Sequence, residues 1–357
     1  MTAAQTDPDL LYVGTYTEGT RSEGIYLVRM DRRSGELLRV GAINAGANPS
    51  FLNIHPNGRV LYAVNELDKG AVSAFTIDRA TGALTRLNEQ PSEGGAPCYV
   101  SVDRTGRAAL VANYGGGSVA LLPIEAKGAL APAHVVQHSG TGPNAERQEA
   151  PHAHCIIPDP ANRFALAADL GADRVFVYRL ELDGKSLRHV EGGDAVMRPG
   201  AGPRHIAFHP SLPLVFVANE LDSTVATLRF DSARGALAPQ EASSTLPVGW
   251  TGTNYPADIH VAADGRSLYV SNRGHNSIAV FSVSKSLGDG ALALEQVIST
   301  EGDWPRNFTL HPTGRWLLVA NQRSDSVIVF ARDPDTGRLS LTQQRIAIPS
   351  PVCLRFA

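Results

Sequence analysis

One short pattern recurs along the whole chain and restricts the folds open to it. VGTY (13–16), AVNE (63–66), VANY (111–114), AADL (167–170), VANE (217–220), VSNR (270–273) and VANQ (319–322) each close a β-prone run. The positions equivalent to Asn65 are Gly14, Asn65, Asn113, Asp169, Asn219, Asn272 and Asn321, spaced by 51, 48, 56, 50, 53 and 49 residues. A further strand precedes each signature after the first: PSFLNI (49–54), PCYVSV (97–102), PHAHCI (151–156), PRHIAF (203–208), PADIHV (256–261) and PRNFTL (305–310). Turns such as HPNGR (55–59) and HPTGR (311–315) join the two. A third strand such as SVIVFAR follows, and a turn such as DPDTGRL leads into a fourth. A period near 50 built from short antiparallel strands predicts an all-β, seven-bladed β-propeller of four-stranded blades, because one such sheet cannot bury its faces alone.

The two ends of the chain complete this count. PVCLRF (351–356) is a first strand with no second strand after it, and LYVGTY (11–16) is a second strand with no first strand before it. Pairing them closes the ring and removes the open sheet edges. Repetition therefore overrides a length of 357 residues as an argument for two domains, and residues 1–357 are expected to form one propeller domain.

Antiparallel strands joined by a tight turn start and finish on the same side, so two rings of positions gather at one mouth of the channel. The entry ring of the first strands is expected to be Ser50, Cys98, His152, Arg204, Ala257, Arg306 and Val352. The exit ring of the second strands is expected to be Thr15, Glu66, Tyr114, Leu170, Glu220, Arg273 and Gln322. His154 follows His152 by two and falls in a slot that holds Leu52, Val100, Ile206, Ile259, Phe308 and Leu354 in the other repeats. Two long connections, His134 to Ala150 and Ser243 to Tyr255, open onto the same face, where loops on a rigid scaffold often cover a site.

Arginines around a histidine and a glutamate suit an anionic electrophile. Guanidinium groups hold planar carboxylate or phosphate oxygens, and an imidazole or carboxylate can take a proton from water. Bland readings stand beside this one. A histidine in a strand can be a satisfied core residue, Arg204 and Glu220 can be a structural ion pair, and Arg273 and Arg306 can be rim charges. Glu66 and Tyr114 can be channel wall, although with His152, Arg306 and Gln322 they are the expected substrate contacts. His55, His209 and His311 occupy turns at the opposite end. Cys98 is set aside as a nucleophile because no histidine falls at the ring position of its own or the preceding blade.

Other classes find little support. The net charge of −3 offers no basic field for nucleic acid or an anionic membrane. Cys98, Cys155 and Cys353 make neither a metal pair nor a disulfide framework, and PHAH lacks a third ligand, so no metal and no cofactor is expected. YGGGS (114–118) has no following Lys-Ser/Thr and reads as a turn. The N-terminus lacks a leader pattern and no run of 18 apolar residues occurs, so a cytoplasmic protein is expected, as a monomer. A peptide-binding scaffold is the competing class, but a repeated Trp-Asp pair is missing and only 6% of residues are aromatic.

YVGTYTEG, NPSFLNIHPNGRVLYAVNE, PHAHCIIPDPANR, GAGPRHIAFHP, SNRGHNSIAVFSV and GDWPRNFTLHPTGRWLLVANQ extend over essentially the full chain. In these segments it closely resembles the 6-phosphogluconolactonase family of seven-bladed propellers, which also contains fungal carboxymuconate-lactonising enzymes. The resemblance implies a metal-independent site in the central cleft, with His154, Arg204, Glu220 and Arg273 matching the family's histidine, arginines and glutamate. It implies hydrolysis of 6-phospho-D-glucono-1,5-lactone, a pentose phosphate pathway reaction. Another sugar lactone, or a muconate that cyclises, would use the same constellation. Which of His154 and Glu220 is the base is left open.

Overall fold

The computed structural model describes residues 9–284 and 291–357. The expected span of 1–357 thus has residues 1–8 and 285–290 outside the described residues. Seven antiparallel sheets form, and the first strands run Leu52–Ile54, Pro97–Val102, Ala153–Pro158, Pro203–Phe208, Tyr255–Val261, Pro305–Leu310 and Pro351–Phe356. Each contacts the next around the ring, and Pro351–Phe356 contacts Leu52–Ile54 to complete it. Pro351–Phe356 also pairs with Asp9–Thr15, so one blade is built from both ends of the chain, as the repeat count requires. We number this blade 1 and the others 2 to 7 in chain order. Blade 4 carries one extra two-residue strand, Ala195–Val196, beside its third strand.

Burial is complete in second strands and falls outward from them to the fourth. Second strands such as Leu214–Asn219 and Trp316–Asn321 are buried at every position, because both faces of each blade lie against a neighbouring blade. Fourth strands such as Ala236–Ser244 are largely exposed. Aromatic side chains in second strands stitch adjacent blades. Tyr12 Oη donates to Gly82 O at 2.7 Å, Tyr62 Oη to Gly128 O at 2.9 Å and Tyr269 Oη to Gly337 O at 2.7 Å. Trp316 Nε1 donates to Arg32 O at 3.0 Å across the closing junction. The turn histidines are stitches at the far end: His55 Nε2 lies 3.0 Å from Gly106 O, and His209 Nε2 lies 3.0 Å from Gly265 O in the next blade.

The repeated asparagine has a physical reason. Asn65 Nδ2 donates to Ala45 O and Ala47 O, Asn113 to Ser92 O, Asn272 to Thr245 O and Asn321 to Thr300 O. Each pins the loop that delivers the chain into the first strand of its own blade, satisfying carbonyls that would otherwise be buried unpaired.

Two expected alignments move. In blade 1 Thr15, not Gly14, pairs with Pro351, and its Oγ1 donates to Gly24 O at 2.6 Å, in the turn after its own strand and not in the loop that the asparagines pin. Tyr16 therefore takes the place expected for Thr15 in the exit ring. In blade 4 Ala153, not Pro151, opens the strand opposite Asp169, as Pro203 does opposite Asn219. His154 is then the equivalent of Arg204, Cys98 and Arg306, not of Ile206, and His152 lies just before the strand. A shift of two preserves the strand's alternation, so alternation alone could not detect it. The long connections are also shorter than expected, since His134–Gln137 and Ala236–Ser244 are fourth strands.

Candidate active site

A register shift interrupts the first strands at the mouth, between Pro97 and Tyr99, Ala153 and Cys155, Pro203 and His205, and Pro305 and Asn307. Such a bulge lets two consecutive residues face one side. Arg204 and His205 accordingly line one narrow axial pocket with Ser50, Phe51, Glu66, Cys98, Arg306 and Val352. Roomier clefts, including one of about 480 Å³ beside His260 and Arg332, lie elsewhere, without this convergence of charge.

Glu220 sits at the centre of the charged groups and is 4% exposed. Its backbone N–H donates to Gly202 O at 2.7 Å, fixing the strand exit beside the strand entry. Arg273 Nη2 donates to its Oε2 at 2.6 Å, and Arg204 Nε lies 2.9 Å from the same oxygen. The Arg204 Nε–H is not aligned with that contact and is buried without a hydrogen-bond partner. Arg147 Nη2 donates to Oε1 at 2.6 Å. Burial pushes the Glu220 carboxyl up, but Arg273, Arg204 and Arg147 outweigh it and hold the group well below the usual carboxylate range.

Arg147 lies outside both expected rings. It comes from the connection before blade 4, and the signal for it was the placement of that loop on the mouth. The loop is held by Gln148, fully buried, whose Nε2 donates to Leu170 O at 2.8 Å. Asn144 Oδ1 caps the backbone N–H groups of Glu146 and Arg147 at 3.1 and 3.2 Å. Arg147 also reaches the hydroxyl of Tyr114 at 3.3 Å.

His154 lies beside Tyr114. The two rings meet edge to face at 5.4 Å, and His154 meets His205 at 5.3 Å. Its Nδ1 is 3.5 Å from Cys98 Sγ, and Nε2 has no hydrogen-bond partner among the described residues. Burial, then Arg204, His205 and Arg306, pull its pKa well below the ordinary histidine value, so the ring is neutral at pH 7. The histidine beside Cys98 comes from blade 4, the blade after its own, and so from outside the two blades on which Cys98 was set aside. Burial pushes the Cys98 thiol up, however, leaving it protonated and a poor nucleophile.

The remaining expected residues stand around this centre. His152 stacks on Tyr114 at 4.6 Å and lies 3.1 Å from Glu149. Glu66 accepts from Tyr16 Oη at 3.0 Å and from Ser50 Oγ. Arg306 packs its guanidinium over the Tyr16 ring at 5.3 Å and has no hydrogen bond or ion pair among the described residues. Gln322 keeps Oε1 buried without a partner. Four arginines against Glu66, Glu149 and Glu220 leave the mouth with a surplus of one formal positive charge. Among the described residues no cluster of His, Cys, Asp and Glu could hold a metal ion, and no helix is long and apolar enough to cross a membrane.

The chain is similar to known proteins over nearly its whole length. A family model described as Lactonase, 7-bladed beta-propeller, matches residues 10–356. A 6-phosphogluconolactonase of Bacillus subtilis is 40% identical over 347 residues, 97% of each chain. The crystal structure of a putative 6-phosphogluconolactonase from Bacteroides fragilis superposes with a TM-score of 0.91 at 35% identity, covering 100% of both chains. The solved structure of a periplasmic gluconolactonase from Pseudomonas aeruginosa gives a TM-score of 0.91 at 35% identity, covering 98% of this chain and 99% of that one. With this likeness and a fold of seven blades closed by its own termini, the chain belongs to the lactonase family of seven-bladed β-propellers.

Proposed function

We propose that this enzyme hydrolyses a phosphorylated sugar lactone, 6-phospho-D-glucono-1,5-lactone, to 6-phosphogluconate, the pentose phosphate pathway reaction. The observation that carries the reading is the surplus of positive charge around a neutral imidazole. Arg306, packed over Tyr16, has no hydrogen bond or ion pair among the described residues, so it is the group that binds the substrate's phosphate without breaking an existing ion pair. Gln322 Oε1 and Tyr114 supply polar contacts for sugar hydroxyls, and His152 walls the entry.

His154 acts as the general base in this reading. Its free Nε2 takes a proton from water as the water's oxygen attacks the lactone carbonyl carbon. Charge then builds on the carbonyl oxygen, where the unpartnered N–H of Arg204, with Arg273 beside it, stabilises the oxyanion. Collapse breaks the ring C–O bond, and the imidazolium returns the proton to the departing alkoxide. Glu220 stays ionised throughout and holds Arg204, Arg273 and Arg147 in place. Three free thiols at Cys98, Cys155 and Cys353 accord with a cytoplasmic setting.

A lactone panel followed by pH-stat tests the reading, with 6-phosphogluconolactone, unphosphorylated gluconolactone and a muconate assayed beside the His154→Ala variant. Hydrolysis of the phosphorylated lactone well above its spontaneous rate, lost in the variant, is expected. Equal turnover by His154→Ala, or a preference for the unphosphorylated lactone or the muconate, would overturn it.

A further inference from the structure

Below the ring of arginines lies a second polar layer that the chemistry above does not use. His205 is the residue after Arg204, and it sits at the position held by Phe51 in blade 2 and Tyr99 in blade 3, against both of which its ring packs at 5.8 and 5.1 Å. A histidine among aromatic residues could be packing and nothing more. Its hydrogen bonds indicate otherwise.

Arg204 Nη1 lies 2.6 Å from Ala257 O and 3.1 Å from His205 Nε2. A guanidinium can only donate, so Nε2 must offer a lone pair and the ring proton must sit on Nδ1. Nδ1 lies 2.8 Å from Asp258 Oδ1, where it donates. Asp258 is in turn fixed from blades 6 and 7: Oδ1 accepts from Ile259 N at 3.0 Å, and Oδ2 from His260 Nε2 at 3.0 Å, Phe308 N at 3.3 Å and Asn307 Nδ2. Arg204, His205, Asp258 and Asn307 are all at most 4% exposed. In a dry interior such a chain keeps its geometry, because each broken link would strand a buried polar group.

We propose that His205 and Asp258 are positioning residues for Arg204. Asp258 selects the His205 tautomer, and His205 aims the Arg204 guanidinium at Glu220 and the pocket. The proposal rests on the lactonase reading above for its kinetic consequence, though not for its geometry. Arg204 has to meet a developing charge with its Nε–H, and a guanidinium free to rotate about its last torsions would do so part of the time only.

Two variants and one spectrum test this. His205→Phe keeps an aromatic ring of a kind the channel already accepts and removes the acceptor. His205→Gln restores both bonds, its Oε1 accepting from Arg204 and its Nε2 donating to Asp258. The Phe variant should lower kcat/KM on 6-phosphogluconolactone by roughly 10-fold to 100-fold, the size of a lost hydrogen bond to a charged group. Its Tm should stay within a few degrees, and the Gln variant should recover most of the rate. Losses of similar size in both variants, or in neither, would overturn the proposal. In [15N]histidine-labelled wild-type protein at pH 7, His205 should show the Nδ1–H tautomer with an unprotonated Nε2. An Nε2–H tautomer or an imidazolium would also overturn it. The spectrum needs no substrate, so a wild-type protein without lactonase activity would sink the functional reading and leave this one standing on the tautomer.

Discussion

Arg147 and Glu220, 73 residues apart in sequence, share a hydrogen bond of 2.6 Å, and that bond joins a loop to the centre of a rigid scaffold. Arg204 and Arg273 reach the same carboxylate from the blades themselves. Arg147 alone of the three comes from a connection, with about a third of its side chain exposed. Replacing Arg147 by alanine should raise KM for an anionic lactone about tenfold, the partial loss of one charge-assisted contact. Because the pair is partly solvated, Tm should scarcely move. Initial-rate kinetics with differential scanning fluorimetry on the same samples checks both halves.

Glu220→Gln should behave differently. It leaves Arg204 and Arg273 buried without their counter-charge, and removing one partner of a buried ion pair costs about 3–5 kcal/mol. Thermal unfolding should shift down by several degrees, and kcat should fall as the arginines spread apart. A variant as stable as the parent would show that the carboxylate neutralises nothing of consequence.

Arg306 gives the sharpest test of substrate choice. Arg306→Ala removes a guanidinium whose contact with the protein is its packing over Tyr16, with no hydrogen bond or ion pair among the described residues, so the fold should tolerate it. On 6-phosphogluconolactone kcat/KM should drop about 100-fold, since a lost phosphate contact of this kind is worth roughly 2–3 kcal/mol. On gluconolactone the change should be within a few-fold. A similar loss on both substrates would move the phosphate elsewhere.

Acid should harm stability before it harms catalysis. His154 and His205 have folded-state pKa values below the unfolded one, His205 at about 3. As pH falls through about 6.5 the unfolded chain takes up protons that the native one refuses, so native stability drops. Glu220 adds to this below about 4.5, because its depressed carboxyl stays ionised in the native state while the unfolded one protonates. Denaturant midpoints measured from pH 7.5 to 4 should therefore decline, and decline less in His205→Phe. The acid limb of kcat/KM should lie below pH 6.5, where His154 begins to protonate. A limb centred at or above 6.5 would contradict a buried, neutral base.

Deleting residues 351–357 should abolish cooperative folding. Val352, Cys353 and Leu354 are at most 2% exposed, and withdrawing them leaves Asp9–Thr15 as an open edge. Three such side chains are worth about 5 kcal/mol, comparable with the whole stability of many domains. Supplying the strand as a separate peptide should restore a sharp transition, visible by circular dichroism.

The blade count, the closure by the two termini and the turn histidines were legible in the sequence, because strand alternation and turn chemistry are local and the repeat writes them seven times. Convergence of Arg204, Glu220 and Arg273 on one opening followed from the same arithmetic. Tertiary structure alone decided the rest. A two-residue offset leaves alternation intact, so only pairing with Asp169 could show that His154 belongs in the ring with Arg204 and Cys98. The reach of Arg147 depends on how Gln148 and Asn144 fold a loop that has no period to read. The link from Asp258 through His205 to Arg204 exists because bulged strands of neighbouring blades turn consecutive residues inward, and no single blade's sequence contains that meeting.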